Sequence, residues 1–183
     1  MLLHTSLLSL CLLLSVSAVN LDSPENQQLI KHETKPVPVI ECPNGFFPIA
    51  ERCVLIDPFL EGTWSEVLYF CSSFELEIVE IDSASMYEEL LKLLRYHELE
   101  ERDYWIGARD ETDEGFWTWE SGNPVAMGSP YWALDNYYDS SNYEIEPRGS
   151  TSENCAYLSK ARYYYFDDAP CTSMKSAICQ TPP

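Results

Sequence analysis

Positive charge is scarce in this chain: 11 Lys and Arg stand against 30 Asp and Glu in 183 residues, a formal net charge of -19, with three His. That scarcity excludes a nucleic-acid partner, because holding a phosphate backbone takes clustered Lys and Arg that displace counterions. Lys160, Arg162 and Arg148 do flank the run Tyr163-Tyr164-Tyr165. The acidic surround opposes base stacking there, and the run reads as strand packing. Beyond residue 18 no long apolar run occurs, so no membrane insertion is expected. Also missing are Asn-x-Ser/Thr and Cys-x-x-Cys, and His32 and His97 lie near no Cys. These absences argue against N-glycosylation and against a zinc site. No Ser, His and Asp order suggests a nucleophile, and nothing fixes a pair of carboxylates for glycoside hydrolysis, so the chain is read as a binding protein, not an enzyme.

What is present points to a folded domain. Apolar residues make up 45% and aromatics 13%, too hydrophobic for a disordered acidic tail. The length suits one domain with its own core. Leu7 to Val16 is apolar apart from Ser and Cys, and Val16, Ser17 and Ala18 form a small-residue cleavage site. Met1 to Ala18 is therefore expected to be a signal peptide and the product to be secreted into the extracellular space. Val19 to Glu41 is polar, broken by Pro36 and Pro38, and is expected to be a flexible arm. Removing Cys11 with the leader leaves Cys42, Cys53, Cys71, Cys155, Cys171 and Cys179. An even number in an oxidising compartment reads as three disulfides, with 15 connectivities open.

From Cys42 onward the texture is short and aromatic-rich. Trp64, Val67, Leu68 and Cys71 recur at three-to-four spacing and predict a helix over Thr63 to Ser72. A second helix is expected from near Ser83, where Ser85 and Glu88 have capping-box spacing, through Leu90, Leu91 and Leu94 toward Tyr96. Strand-like pieces are Phe46 to Ile49, Cys53 to Ile56, Ile78 to Ile81, Tyr104 to Ala108, Phe116 to Trp119, Cys155 to Leu158, Arg162 to Phe166 and Ala177 to Gln180. The expected class is α+β. Glu120 to Asn154 is rich in Gly and Pro, and Trp132, Tyr137, Tyr138 and Tyr143 can pack it down, so it reads as an ordered binding loop.

Five pieces in order carry a resemblance: Trp105-Ile106-Gly107-Ala108, Trp117-Thr118-Trp119-Glu120-Ser121-Gly122, Glu153-Asn154-Cys155, Asp167-Asp168-Ala169-Pro170-Cys171 and Ile178-Cys179. Over Cys42 to Gln180 the chain resembles the C-type lectin domain, in the manner of its secreted, single-domain invertebrate members. The resemblance implies a C-type lectin-like fold over residues 42–183, with two helices, small antiparallel sheets and a long binding loop. It also implies the disulfides Cys71 to Cys179, Cys155 to Cys171 and, for the long form, Cys42 to Cys53. Trp105, Trp117 and Trp119 read as core, not as sugar platforms.

The same resemblance implies calcium as cofactor, held after the long loop and near the last cysteines, and glycans as partners, with microbial surfaces a plausible source. The matching positions here are Glu146-Pro147-Arg148, Glu153 and the pair Asp167-Asp168, with Phe166 where the family carries Trp. Carboxylates are the hard oxygen ligands that calcium prefers. Arg148 departs from the pattern, since a guanidinium cannot ligate a cation. It can point to solvent, pair with a carboxylate and replace the metal, or sit beside calcium and read an acidic sugar. Asp135 and Asp139 are read as solvated charges before a second calcium site. Homo-oligomers are possible because a single lectin site binds weakly and multivalency adds avidity. The alternative function is a calcium-independent lectin-like domain that binds protein or a mineral-associated matrix.

Overall fold

The computed structural model describes residues 40–99, 101–128, 130–135 and 143–182. The signal-peptide segment, nearly all of the expected arm, and Asp139 lie outside the described residues. Among the described residues, ten strands and two α-helices follow in the order β1 (Phe47–Ile49), β2 (Arg52–Gly62), α1 (Trp64–Ser73), β3 (Glu77–Ile78), α2 (Ala84–Tyr96), β4 (Tyr104–Arg109), β5 (Thr118–Trp119), β6 (Leu134–Asp135), β7 (Glu144–Ile145), β8 (Cys155–Ser159), β9 (Tyr165–Ala169) and β10 (Lys175–Gln180). The α+β class expected from the sequence is what the chain adopts.

The main sheet runs β1-β2-β10-β4-β8-β9, with β3 on β10 and β5 on β4, while β6 and β7 pair apart. Its pairings are antiparallel except β10 with β4, which is parallel at Ser176 and Tyr104. The last strand thus lies beside both the first half of the domain and β4. Disulfides join Cys42 to Cys53, Cys71 to Cys179 and Cys155 to Cys171. The second ties α1 to β10, and the third ties β8 to the turn after β9.

Local chemistry accounts for both helices. Thr63 caps α1: Glu66 N–H donates to its hydroxyl at 3.3 Å, and its own N–H donates to the Glu66 carboxylate at 2.8 Å. Trp64, Val67 and Cys71 form the buried stripe of α1, and Met86, Leu90 and Leu94 that of α2. The cap of α2 is Ser83, which accepts from Met86 N–H at 3.2 Å, whereas Ser85 lies inside the first turn. Two indoles tie β4 to α1 and to the end of β2. Trp64 Nε1 donates to the Ile106 carbonyl and Trp105 Nε1 to the Gly62 carbonyl, both at 2.9 Å. Trp105, Trp117 and Trp119 are core residues.

Where β3 and the residue after it pass β4 the backbones nearly touch. A β-carbon on Gly107 would lie 3.0 Å from Ile78 Cγ2 and 3.2 Å from the carbonyl oxygens of Ile78 and Val79, while Gly107 N–H donates to Val79 O at 2.8 Å. Gly107→Ala is expected to cost about 1 to 3 kcal/mol, because paired backbone cannot yield as a flexible side chain does. A urea midpoint matching the parent protein's would contradict that reading.

The expected strand over Arg162 to Phe166 begins later than the sequence suggests. Tyr163 and Tyr164 adopt left-handed backbone, φ 57° and 67°, and form the turn between β8 and β9. Tyr163 is 80% exposed, so it does not pack as a strand residue, while Tyr164 is buried.

Candidate cation and ligand site

Strand β9 delivers the site. Phe166 packs beneath it, stacked on Tyr131 and edge-on to Trp119 and Trp132 at 5.7 to 6.1 Å between ring centroids. This aromatic anchor fixes the strand from which Asp167 and Asp168 follow. Opposite them runs the segment after β7, where the Glu146–Pro147 peptide bond is cis. The main-chain N–H groups of Arg148 and Gly149 donate to Asp168, at 3.3 Å to Oδ1 and 2.7 Å to Oδ2. Strand and loop are therefore stitched together through one carboxylate.

Glu146, Asp167 and Asp168 each bring a carboxylate oxygen within 4.8 Å of the others, and Glu146 and Asp168 are buried. Glu153 follows a 3-10 turn over Ser150–Ser152, and its side chain lies against Gly149, where a β-carbon would collide with it. Arg148 is drawn into the cluster. Its Nε and Nη2 face the two oxygens of Glu146 at 3.2 and 3.0 Å, and Nη1 donates to Glu144 at 2.8 Å. Of the three dispositions open to Arg148 in the sequence, this structure has the carboxylate pair.

The negative charge is not fully balanced. Burial, with Glu146 and Glu153 adding, pushes the Asp168 carboxyl up to about 6, although the Gly149 and Arg148 amides oppose the shift. Burial, then Asp167 and Glu146, raises Glu153 as well. The other cation facing these carboxylates is Lys175. Its ammonium sits 3.6 Å from the Tyr157 ring centroid and 5.0 Å from that of Trp105, and its side chain is 10% exposed. Tyr157 in turn donates its hydroxyl to Asp167 Oδ2 at 2.9 Å.

A cavity of about 160 Å³ adjoins the cluster, lined among others by Asp110, Glu114, Pro147, Glu153 and Asp168. Asp110 is buried at the end of β4, where burial raises its carboxyl. Its Oδ2 accepts from Gly115 N–H at 2.9 Å, but buried Oδ1 has no hydrogen-bond partner among the described residues, and neither has Asn154 Oδ1. The orphaned acceptor of Asp110, in a cavity shared with Glu153 and Asp168, suits a cation, since an orphaned buried acceptor is otherwise costly. The sequence reading missed Asp110 and Glu114. The available signal was the dense acidic run Asp110-Glu111-Thr112-Asp113-Glu114 directly after a core strand.

The fit to calcium follows from the donor set. The cluster is all carboxylate, further carboxylates of Asp110, Glu114 and Glu153 line the adjoining cavity, and among the described residues no Cys or His joins it. Glu146, Glu153, Asp167 and Asp168 would hold the ion, and Arg148 must leave Glu146 for all of that residue's lone pairs to be available. Tyr157 orients Asp167, and Tyr157→Phe is expected to weaken calcium binding about tenfold while moving the chelator-treated melting temperature little. Unchanged affinity would contradict the orienting role. Asp135 pairs its backbone with Glu144, β6 against β7.

Comparison with known proteins agrees with the architecture. The Lectin C-type domain family profile matches residues 61–181. The human protein "C-type lectin domain family 17, member A" is 27% identical over 141 residues, 77% of this chain and 32% of the relative. The mosquito Aedes aegypti protein "C-type lectin mosGCTL-7" is 27% identical over 127 residues, 66% of this chain and 77% of the relative. Thus the chain spans about a third of the human relative's length and most of the mosquito relative's. Among solved structures, a Ca2+-dependent type II antifreeze protein in its Ca2+-free form superposes with a TM-score of 0.61 at 20% identity, covering 77% of this chain and all of that one. At that identity the likeness speaks for the fold alone. Matched by the family profile over residues 61–181, most of its length, the chain belongs to the C-type lectin domain family.

Proposed function

We propose that this chain is a secreted, calcium-dependent glycan-binding module directed at microbial surface glycans, and that it works by binding, not catalysis. Glu146, Glu153, Asp167 and Asp168 hold the ion, with Pro147 and Arg148 at its edge. The observation that carries the reading is the convergence of three carboxylates within 4.8 Å, two of them buried, with Glu153 beside them and the Arg148 guanidinium drawn in. Carboxylates crowded in this way repel one another, and a divalent cation relieves that repulsion. The orphaned acceptor of Asp110, lining the adjoining cavity, supports the same reading. When bound, calcium supplies an oxygen-seeking centre that can take saccharide hydroxyls. No helix among the described residues is long and apolar enough to cross a membrane. The apolar leader over Met1 to Ala18 supports export.

A second reading rests on the Arg148–Glu146 pair, whose two-point geometry fills the place of a metal with an internal cation. Under it the domain binds protein or mineral-associated matrix without calcium. Binding to immobilised microbial polysaccharide in calcium and in chelator separates the two. Retention in calcium and release by chelator is the expected result, and equal retention in both would favour the second reading.

A further inference from the structure

Resting on the calcium reading, we infer that the saccharide taken by this site is anionic, and that its charged group is received by Arg148 after calcium has claimed Glu146. The guanidinium and the ion compete for the same two oxygens, because Nε and Nη2 of Arg148 both donate to Glu146. A divalent ion that also engages Asp167 and Asp168 has more to gain from Glu146 than a single guanidinium has. Contacts apart from Glu146 keep residue 148 at the rim when that exchange occurs, among them Nη1 donating to exposed Glu144 at 2.8 Å and the main-chain N–H donating to Asp168.

The edge of the fork that leaves Glu146 carries two parallel N–H groups. That is the shape which matches a sulfate or carboxylate at two points. A neutral saccharide gives this edge nothing in exchange for Glu146, whereas an anionic one replaces the lost partner with another of the same charge. Lys175 cannot serve instead, since its ammonium is folded over the Tyr157 ring and screened from solvent. Cation and anion therefore favour the same arrangement, and by linkage each raises the affinity for the other by one common factor.

The test is calorimetric titration of the protein with calcium alone, followed by binding in saturating calcium to a saccharide panel in which each neutral member is paired with a sulfated and a carboxylated form. The charged forms are expected to bind about tenfold more tightly than their neutral partners, from one charge-assisted two-point contact. The same forms are expected to raise the apparent calcium affinity by a like factor. Arg148→Met is expected to abolish both effects and to tighten binding of calcium alone, since the guanidinium that competes for Glu146 is gone. Arg148→Lys, which keeps the charge but not the fork, should retain only part of the preference. Melting temperature in chelator shows that each variant is folded. Equal binding of neutral and charged forms, binding of no member despite saturable calcium, or a preference that survives in Arg148→Met would each overturn this inference and leave the calcium reading standing. Absence of calcium binding would overturn both.

Discussion

Asp168→Asn is expected to weaken calcium binding about a hundredfold, near 3 kcal/mol, because it removes one charge of a buried, hydrogen-bonded cluster. The fold should survive in chelator at modest cost, since the Asn oxygen can still accept from Gly149 N–H, the shorter of the two amide bonds, while the 3.3 Å bond from Arg148 N–H is lost. A pH signature accompanies the substitution. Burial lifts the Asp168 carboxyl from 3.8 to about 6, so the folded domain holds this proton more tightly than the unfolded chain. Stability from this group is fully present below the lower value and is lost as pH rises through the upper one. A shift of that size corresponds to about 3 kcal/mol. Glu153, Glu80 and Asp110 are raised in the same direction. The chelator-treated protein is therefore expected to melt at higher temperature at pH 5 than at pH 7, and Asp168→Asn to shrink that difference. A parent protein that loses stability between pH 7 and 5 would contradict the assignment. In calcium the sign reverses, because protons compete with the ion for the same oxygens.

Replacing Cys71 and Cys179 together with alanine is expected to cost about 4 to 5 kcal/mol, the largest loss from any single crosslink in the domain. Their separation of 108 residues makes this the longest closed loop, and both half-cystines are fully buried between α1 and β10. Cys42 and Cys53 are 11 residues apart. Removing that pair should cost about 2 kcal/mol less, since loop entropy grows only with the logarithm of length. Urea unfolding of the two double variants checks the order. Equal losses, or a loss under about 1 kcal/mol for the long link, would show that the crosslink does not act by restricting the unfolded chain.

Much of the fold was legible because apolar spacing and cysteine count report burial directly. The stripe Trp64, Val67 and Cys71 placed α1 to within a residue at each end. The cap of α2 was displaced by two residues, because a capping residue is chosen by where the chain leaves extended backbone: Ser83 has φ -144° and ψ 156°, while Ser85 is already helical. Tyr163 and Tyr164 misled for a related reason. Their β-propensity is high, yet the β8–β9 turn needs left-handed residues at those positions. Strand β2 extends to Gly62, well past Ile56, because β10 pairs with it as far as Lys175, a partner more than a hundred residues away in sequence.

The site divides along the same line. Glu146, Arg148, Glu153, Asp167 and Asp168 could be picked out by residue type and order, but the partner of Arg148 could not. Three dispositions were open, and the choice depends on which carboxylates the loop and β9 bring within reach. Asp110 and Asn154 escaped notice because an orphaned acceptor is a property of packing, invisible until both strands are placed. Tyr157 was hidden as well, since its hydroxyl reaches Asp167 across the β8–β9 ladder.

Calcium titration of the chelator-stripped protein by calorimetry, with thermal unfolding of the same samples, tests the central claim most directly. A ligand that binds only the folded state must raise its melting temperature, so heat and stability have to agree. Saturable binding with a higher melting temperature in calcium is the predicted result. No heat and no shift would contradict the calcium reading and leave the Arg148–Glu146 pair as the permanent occupant of the site.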